Sequence, residues 1–455
     1  MAVWSEIPLS NSIAAGRADA EYFQPEYLRL ERVLRQAGCA RLDALAIVTD
    51  GIHASPDVVE NDGVMYLSAK CVKDNDFALA DALQISKEQD AANKRTRLRV
   101  DDVLITTVGT IGNAAVVTDD LLPANADRHL GIVRIKPDAG IDPCYLSTFL
   151  NSRLGRFQTL REATGNVQLN LFIEKMNTLR VPSIRAQKHV ADLTRRAYAT
   201  RKQAQERFAD AESLLVSALG LNKLDLMPRL FYEDRYEAVA AAGRFDAEYY
   251  QPAKLRVLDA LAKMKGRVVG EQYRSVKSLW QPDRVPPAER VRNYDLTAAL
   301  SPFLDETLEP TPAAEIGSTK KRLQAGDLVV SRLRSYLKEI AVVLPSEGAP
   351  TVGSTEFIVL RAGKDAVRAE ALLVFLRSPC VQTVLKWCQD GSNHPRFDEK
   401  EVLGLRVPSA VADIQDDLAE LVEKSIAARR EARRLLDEAK ALVERAILAP
   451  SGRKP

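Results

Sequence analysis

One stretch of the chain is written twice. Gly16-Arg17-Ala18-Asp19-Ala20-Glu21-Tyr22-Phe23-Gln24-Pro25 returns as Gly243-Arg244-Phe245-Asp246-Ala247-Glu248-Tyr249-Tyr250-Gln251-Pro252, displaced by 227 residues. Leu179-Arg180-Val181-Pro182-Ser183 returns unchanged as Leu405-Arg406-Val407-Pro408-Ser409, displaced by 226. Two separate anchors with nearly one offset mean that a unit of about half the 455 residues is duplicated. That period is far longer than a solenoid repeat of about 20–50 residues. It describes two copies of a whole domain, each burying its own core. Two similar sites follow.

Weaker matches fill in the unit. Arg97–Ile105 lies over Arg322–Val330, and Tyr145–Ser152 over Ala371–Ser378. Between these anchors the copies diverge: Val108-Gly109-Thr110-Ile111-Gly112-Asn113 stands against Leu333-Arg334-Ser335-Tyr336-Leu337-Lys338. A shared scaffold with unlike surfaces suggests two sites of one kind that prefer different ligands.

Composition excludes several classes. A formal net charge of +2 rules out a polycation, so nucleic-acid affinity must come from local patches. No apolar run has the length of a membrane span, and the first residues lack a signal peptide's layout. The five cysteines, Cys39, Cys71, Cys144, Cys380 and Cys388, have no zinc-type spacing and suit reduced thiols in the cytoplasm. The four histidines stand apart, and no metal site is expected.

Each signature ends in a proline, Pro25 or Pro252, suited to the first turn of a helix. Leu28, Leu30 and Leu34, and Leu255, Leu258 and Leu261, then form apolar stripes. Short strands follow at Val103–Ile105, Ala114–Val117 and Gly131–Ile135, and at Leu328–Val330, Ile340–Val343 and Glu356–Leu360. A helix carries Phe149 and Leu150, or Phe375 and Leu376. A polar loop, Thr164–Asn170 or Asp390–Arg396, leads into the Leu-Arg-Val-Pro strand.

Each unit closes in a long helix with heptad spacing. Val190, Thr194, Ala197, Arg201, Ala204, Phe208, Ala211, Leu215 and Ala218 keep it in the first copy. Ile414, Leu418, Leu421, Ser425, Ala428, Ala432, Leu435, Ala439, Leu442 and Ala446 keep it in the second. Alanine at every seventh position from Ala197 to Ala218 permits close backbone approach. A whole domain separates the helices in sequence, so they are expected to pair antiparallel.

This order of motifs resembles the specificity subunit of type I restriction–modification systems. The resemblance rests on the two Arg-x-Asp-Ala-Glu-Tyr-[Phe/Tyr]-Gln-Pro openings and the strand entries at Asp102 and Asp327. The helix at 145–152 and the two Leu-Arg-Val-Pro exits into heptad helices complete it. One departure is Asp101 where the second copy has Gly326. The resemblance implies an α+β chain with two pseudo-symmetric mixed α/β target-recognition domains separated by two long antiparallel coiled-coil helices. The expected boundaries are 1–180 and 223–406 for the domains, and 181–222 and 407–450 for the spacer helices. It also implies double-stranded DNA as ligand, two DNA methyltransferase subunits and a restriction/translocase subunit as partners, and no membrane. S-adenosylmethionine would sit on the methyltransferase, and this chain would need no cofactor. Two rivals stand beside this reading: a specificity subunit serving a combined methyltransferase–nuclease polypeptide, and a two-domain coiled-coil scaffold that binds no DNA.

Motifs for chemistry are missing. Asp142-Pro143-Cys144-Tyr145 approaches an amino-methyltransferase motif, but no cofactor loop precedes it and the second copy, Arg368–Ala371, keeps none of it. Pro143 reads instead as a helix start. Glu438-Ala439-Lys440 has a nuclease-like spacing but falls in the heptad helix, where it reads as solvated surface. No nucleophile elbow, P-loop or dinucleotide fingerprint occurs. Gly109-Thr110-Ile111-Gly112 reads as a turn between strands. No catalytic residue is assigned.

DNA contacts are expected from two matched clusters. Lys94, Arg95, Arg97 and Arg99 crowd one strand entry; Lys320, Lys321, Arg322, Arg332, Arg334 and Lys338 bracket its counterpart. Such cations neutralise phosphate, and Arg reads guanine bidentately. Asn113, Asn166, Gln168 and Asn170, opposite Ser392, Asn393, His394 and Arg396, offer amide and basic groups for base edges.

Overall fold

A computed structural model of the chain describes residues 4–165 and 168–448. It divides into two compact units. The first joins the residues up to Arg201 to those from Arg430 onward, and the second is Lys202–Arg429.

In the first unit the repeated signature is a brace. Arg17 lies 2.6 and 2.9 Å from the two carboxylate oxygens of Asp19, and its guanidinium sits 4.9 Å from the Tyr22 ring centroid. Asp19 also accepts from the Tyr22 backbone N–H at 3.0 Å. One cation held by a carboxylate and an aromatic face fixes the entry to helix Pro25–Gln36, which Pro25 starts. Leu30 and Leu34 are its buried stripe. The antiparallel pair Cys39–Arg41 and Arg180–Pro182 then ties the domain's start to its exit. The main antiparallel sheet runs in the order Ala46–Asp50, Leu130–Ile135, Val103–Thr106, Ala114–Val116. Helix Pro143–Asn151 covers it, with Asp142 accepting from the Cys144 N–H at 2.9 Å. A smaller sheet puts Val64–Leu67 antiparallel to Leu83–Ile85 and parallel to Ala124–Ala126.

The second unit repeats this plan. Arg244 braces Asp246 at 2.8 and 2.5 Å and lies 4.4 Å from the Tyr249 ring. Pro252 starts helix Pro252–Lys263, whose buried stripe is Val257 and Leu261; Leu255, expected on that stripe, is exposed. Gly266–Val268 pairs with Arg406–Pro408. The main sheet order is Tyr273–Ser275, Phe357–Ala362, Leu328–Ser331, Ile340–Val343, with Phe303–Leu304 added parallel at the edge. The second sheet, here also five-stranded, again holds one parallel pair, Arg290–Tyr294 with Thr351–Gly353.

The strand entries share one buried ion pair. Asp102 accepts from Arg134 at 2.8 and 2.6 Å and from the Arg99 backbone N–H at 2.8 Å. Asp327 does the same with Arg361 at 2.6 and 2.7 Å and with the Gln324 N–H at 2.8 Å. Both carboxylates are buried, so the paired guanidinium satisfies a charge that would otherwise be costly. The residue before each has a left-handed backbone: Asp101 at φ 71° and Gly326 at φ 84°. The Asp-for-Gly departure therefore leaves the turn unchanged.

Helix Gln187–Leu219 and helix Gln415–Leu448 each serve both units. In the first unit Val190, Leu193 and Ala197 share a core with Ala432, Leu435, Ala439 and Val443. In the second, Ala211 and Leu215 share one with Leu418, Val422 and Ile426. The early half of one helix thus meets the late half of the other, which is antiparallel packing. The first seam keeps its expected spacing except at Ala218, which is exposed while Leu219 is buried. The second is shifted: Val422, Val443 and Ile447 are buried, whereas Leu421 and Leu442 are half-buried and Ala446 is exposed. The stripe widens because these helices also cover their domains, as Leu418 and Val422 do in the core shared with Phe375. Lys440 is not solvated surface. It pairs with Asp74 at 3.0 Å and Asp437 at 3.2 Å, pinning the helix to the first unit. No helix among the described residues is long and apolar enough to cross a membrane.

Candidate nucleic-acid interface

In each unit two of the divergent stretches are brought together. In the second unit the turn between Leu328–Ser331 and Ile340–Val343 lies against the polar loop that closes the domain. Leu333 bridges Arg396, and the Arg334 N–H donates to the Pro395 carbonyl at 2.9 Å. In the first unit the turn between Val103–Thr106 and Ala114–Val116 meets its own loop through Val108 and Asn170. Each loop is closed by a bridge, Asp390 to Arg396 and Thr164 to Asn170. The backbone frame is shared at its base. Thr107 N–H donates to the His129 carbonyl at 3.0 Å and Arg332 N–H to the Glu356 carbonyl at 3.2 Å.

The side chains differ. At the mouth of the second unit Glu356 accepts from Arg332 at 2.8 Å and from Arg396 at 3.0 Å. The hydrogen bond from Arg396, reinforced by Arg332, holds the Glu356 carboxyl below its ordinary range against the opposing effect of burial. The same contact raises Arg396. Two guanidiniums sharing one carboxylate leave a fixed positive excess. Arg334 and Lys338 flank the short turn Ser335–Leu337, and neither makes an ion pair among the described residues. Arg334 reaches the Asn393 carbonyl at 3.4 Å; Asn393 and His394 are exposed beside it. Arg332, Arg334, Lys338, Asn393, His394 and Arg396 therefore form one cluster. The first unit has Thr107, His129 and Asn170 where the second has Arg332, Glu356 and Arg396, so neither arginine has a charged counterpart.

Other expected residues lie elsewhere. Asn113 is buried; its amide donates to the Val72 carbonyl at 3.1 Å and accepts from Arg156, so it belongs to the fold. Its counterpart Glu339 is buried too, and burial pushes that carboxyl up. Lys321 donates to the Phe357 carbonyl at 2.6 Å, and desolvation lowers its ammonium. Lys320 is mostly buried, 3.6 Å from Asp295. Neither lysine presents a free cation. Arg97 pairs with Asp90 at 2.6 Å and Arg95 with Asp50 at 3.2 Å, while Lys94 and Arg99 are exposed. Gln168 is exposed and Asn170 half-buried; Asn166 lies outside the described residues. Sequence reasoning missed His129, which pairs with Asp127 at 2.7 Å, and His53, which pairs with Asp50 at 2.6 Å beside Arg95. The alignment of His129 with Glu356 was the available signal.

With this geometry in place, one curated relative decides the likeness. The "Type I restriction enzyme EcoBI specificity subunit" of Escherichia coli is 30% identical over 166 residues, 35% of this chain and 34% of its own length. The chain resembles a type I specificity subunit. It spans about a third of the length of that relative. No family model matches the chain. Among solved structures, the "Type-I restriction-modification system S subunit from M. genitalium" is 12% identical, covering 91% of this chain and 96% of its own, with a TM-score of 0.41. The "HsdS subunit from Thermoanaerobacter tengcongensis" is 15% identical, covering 90% and 96%, with a TM-score of 0.29.

Proposed function

We propose that this chain is the DNA sequence-recognition subunit of a type I restriction–modification system. Each unit would read one half of a split site in double-stranded DNA. The observation that carries this is the duplicated mouth: one backbone frame, used twice, with unlike polar side chains around it. Two copies of one frame suit two grooves of one duplex, and unlike side chains suit unlike half-sites. The chain performs no chemistry in this reading. Two methyltransferase subunits carry S-adenosylmethionine and modify adenine, and a restriction/translocase subunit completes the assembly. The long helices, shared by both units, are the docking spacer. The resemblance to the EcoBI specificity subunit supports the assignment.

The test is methylation mapping in a host that expresses this chain with its methyltransferase. A two-part motif that appears only when the chain is present is the expected result. Unchanged methylation, together with no duplex binding by the complex, would overturn the proposal in favour of a scaffold.

A further inference from the structure

The two mouth turns share an unusual backbone. In the first unit Gly109 and Gly112 have φ of 74° and 82°; in the second Arg334 and Lys338 have φ of 50° and 53°. These are corresponding positions, since the turn runs from Thr106 to Asn113 in one copy and from Ser331 to Glu339 in the other, closed by the same hydrogen bonds. Glycine takes a left-handed backbone at no steric cost, whereas a long L side chain is disfavoured there. The second turn is nonetheless held in place. Leu337 N–H donates to the Arg334 carbonyl at 2.9 Å, Lys338 N–H to the Ser335 carbonyl at 2.8 Å, and Ile340 N–H to the Lys338 carbonyl at 2.8 Å. Strain that the surroundings enforce, at a mouth, on two residues that form no ion pair among the described residues, marks side chains retained for what they touch.

Resting on the proposed DNA-recognition function, we propose that Arg334 and Lys338 are a phosphate clamp confined to the second unit. They bracket the exposed ring of Tyr336, 57% accessible at the tip of the turn. The clamp sets how hard the second half-site is held. The first unit, with Gly109 and Gly112, approaches its half-site with bare backbone at the same place. The two half-sites are thus gripped unequally: the second by charge, the first by shape and amide groups.

The test uses the full chain, assembled with its methyltransferase, and duplex DNA bearing the methylated site. Arg334→Gly with Lys338→Gly should raise the thermal midpoint of the chain by about 2–4 °C per relieved residue. The same double variant should weaken binding and flatten the salt dependence by about two phosphate contacts. Its loss of affinity between 50 and 200 mM salt would then be on the order of tenfold smaller than wild type's. Arg334→Asn with Lys338→Asn, which also tolerates the left-handed backbone, should reproduce the binding defect. Conversely, Gly109→Arg has open space around a new Cβ and should steepen the salt dependence by about one contact. A stabilised double variant that binds DNA as before would overturn the clamp, and so would a destabilised one. A wild-type complex that binds no DNA would instead overturn the function on which the clamp rests.

Discussion

The Ser425 hydroxyl donates to the Ala204 carbonyl at 2.7 Å, from one long helix to the backbone of the other. Both residues are fully buried. A side-chain donor reaches a neighbouring helix's backbone only where that neighbour offers a small residue, so this bond reports how closely the helices approach. Ala204→Leu should force them apart and destabilise the chain by about 1–3 kcal/mol. Ser425→Ala, which removes one bond and little volume, should cost about 1 kcal/mol. Urea unfolding of the full chain checks both, and a neutral Ala204→Leu would show that the seam is loosely packed.

Asp101 and Gly326 occupy the same left-handed position before a buried aspartate. Asp101→Gly should therefore stabilise the first unit by about 1 kcal/mol. Gly326→Asp, where no atom lies within 4 Å of the new Cβ, should destabilise the second by about as much. Opposite shifts of the thermal midpoint are the expected readout.

Glu356 is depressed in the folded state by Arg396 and Arg332. Its contribution to stability is full above its unfolded value and fades as pH falls through the lower folded value. Glu356→Gln should remove that part of the acid sensitivity, seen as a flatter stability profile below about pH 4.5. The variant also releases two guanidiniums at the mouth, so its complex should bind DNA more tightly and with steeper salt dependence. Weaker binding would place Glu356 itself against a base.

Each unit carries its own mouth, so the two should be exchangeable separately. Replacing residues of roughly 40–180 with the matching region of a relative should change one half of the methylated motif and leave the other half intact. Mapped motifs altered in both halves, or in neither, would refute modular reading.

The Ala204–Ser425 bond also fixes where a matched insertion belongs: one heptad after Ala204 and one immediately before Ser425. Such a pair keeps both seams in register and lengthens each helix by about 10 Å. Methylated half-sites should then move apart by about three base pairs at about 3.4 Å each. Three base pairs also turn the second half-site by nearly a third of a helical turn of about 10 base pairs, so weaker modification is expected. An active complex that keeps the original spacing would show that these helices do not set it.

Much of the frame was legible in the sequence because it was written twice. The signature, the Asp102 and Asp327 entries and the Leu-Arg-Val-Pro exits all have structural duties, and duties survive in both copies. Pro25, Pro143 and Pro252 announced helices because a missing N–H costs nothing in a first turn. The mouth was harder to read. Gly109 and Arg334 look like divergence in sequence, yet they are one backbone conformation, visible only as a dihedral angle. Lys321 reads as a free cation until the fold turns it onto the Phe357 carbonyl. Charge neutralised by a distant residue, as Glu356 does for Arg396, leaves no trace in local pattern. The second sheet of each unit went unread for a related reason, since its strands are two to five residues long and pair across long stretches of chain.

The division of the long helices has a consequence for synthesis. The second unit is one continuous stretch, Lys202–Arg429, and can close as soon as it has left the ribosome. The first unit, although begun first, lacks Ala432, Leu435, Ala439, Val443 and Ile447 from its core until residue 447 is made. A chain cut between Arg430 and Ile447 would carry a finished second unit and an unfinished first one. The half begun earliest is the last to fold, so a completed first mouth certifies that translation has passed the whole of the second unit.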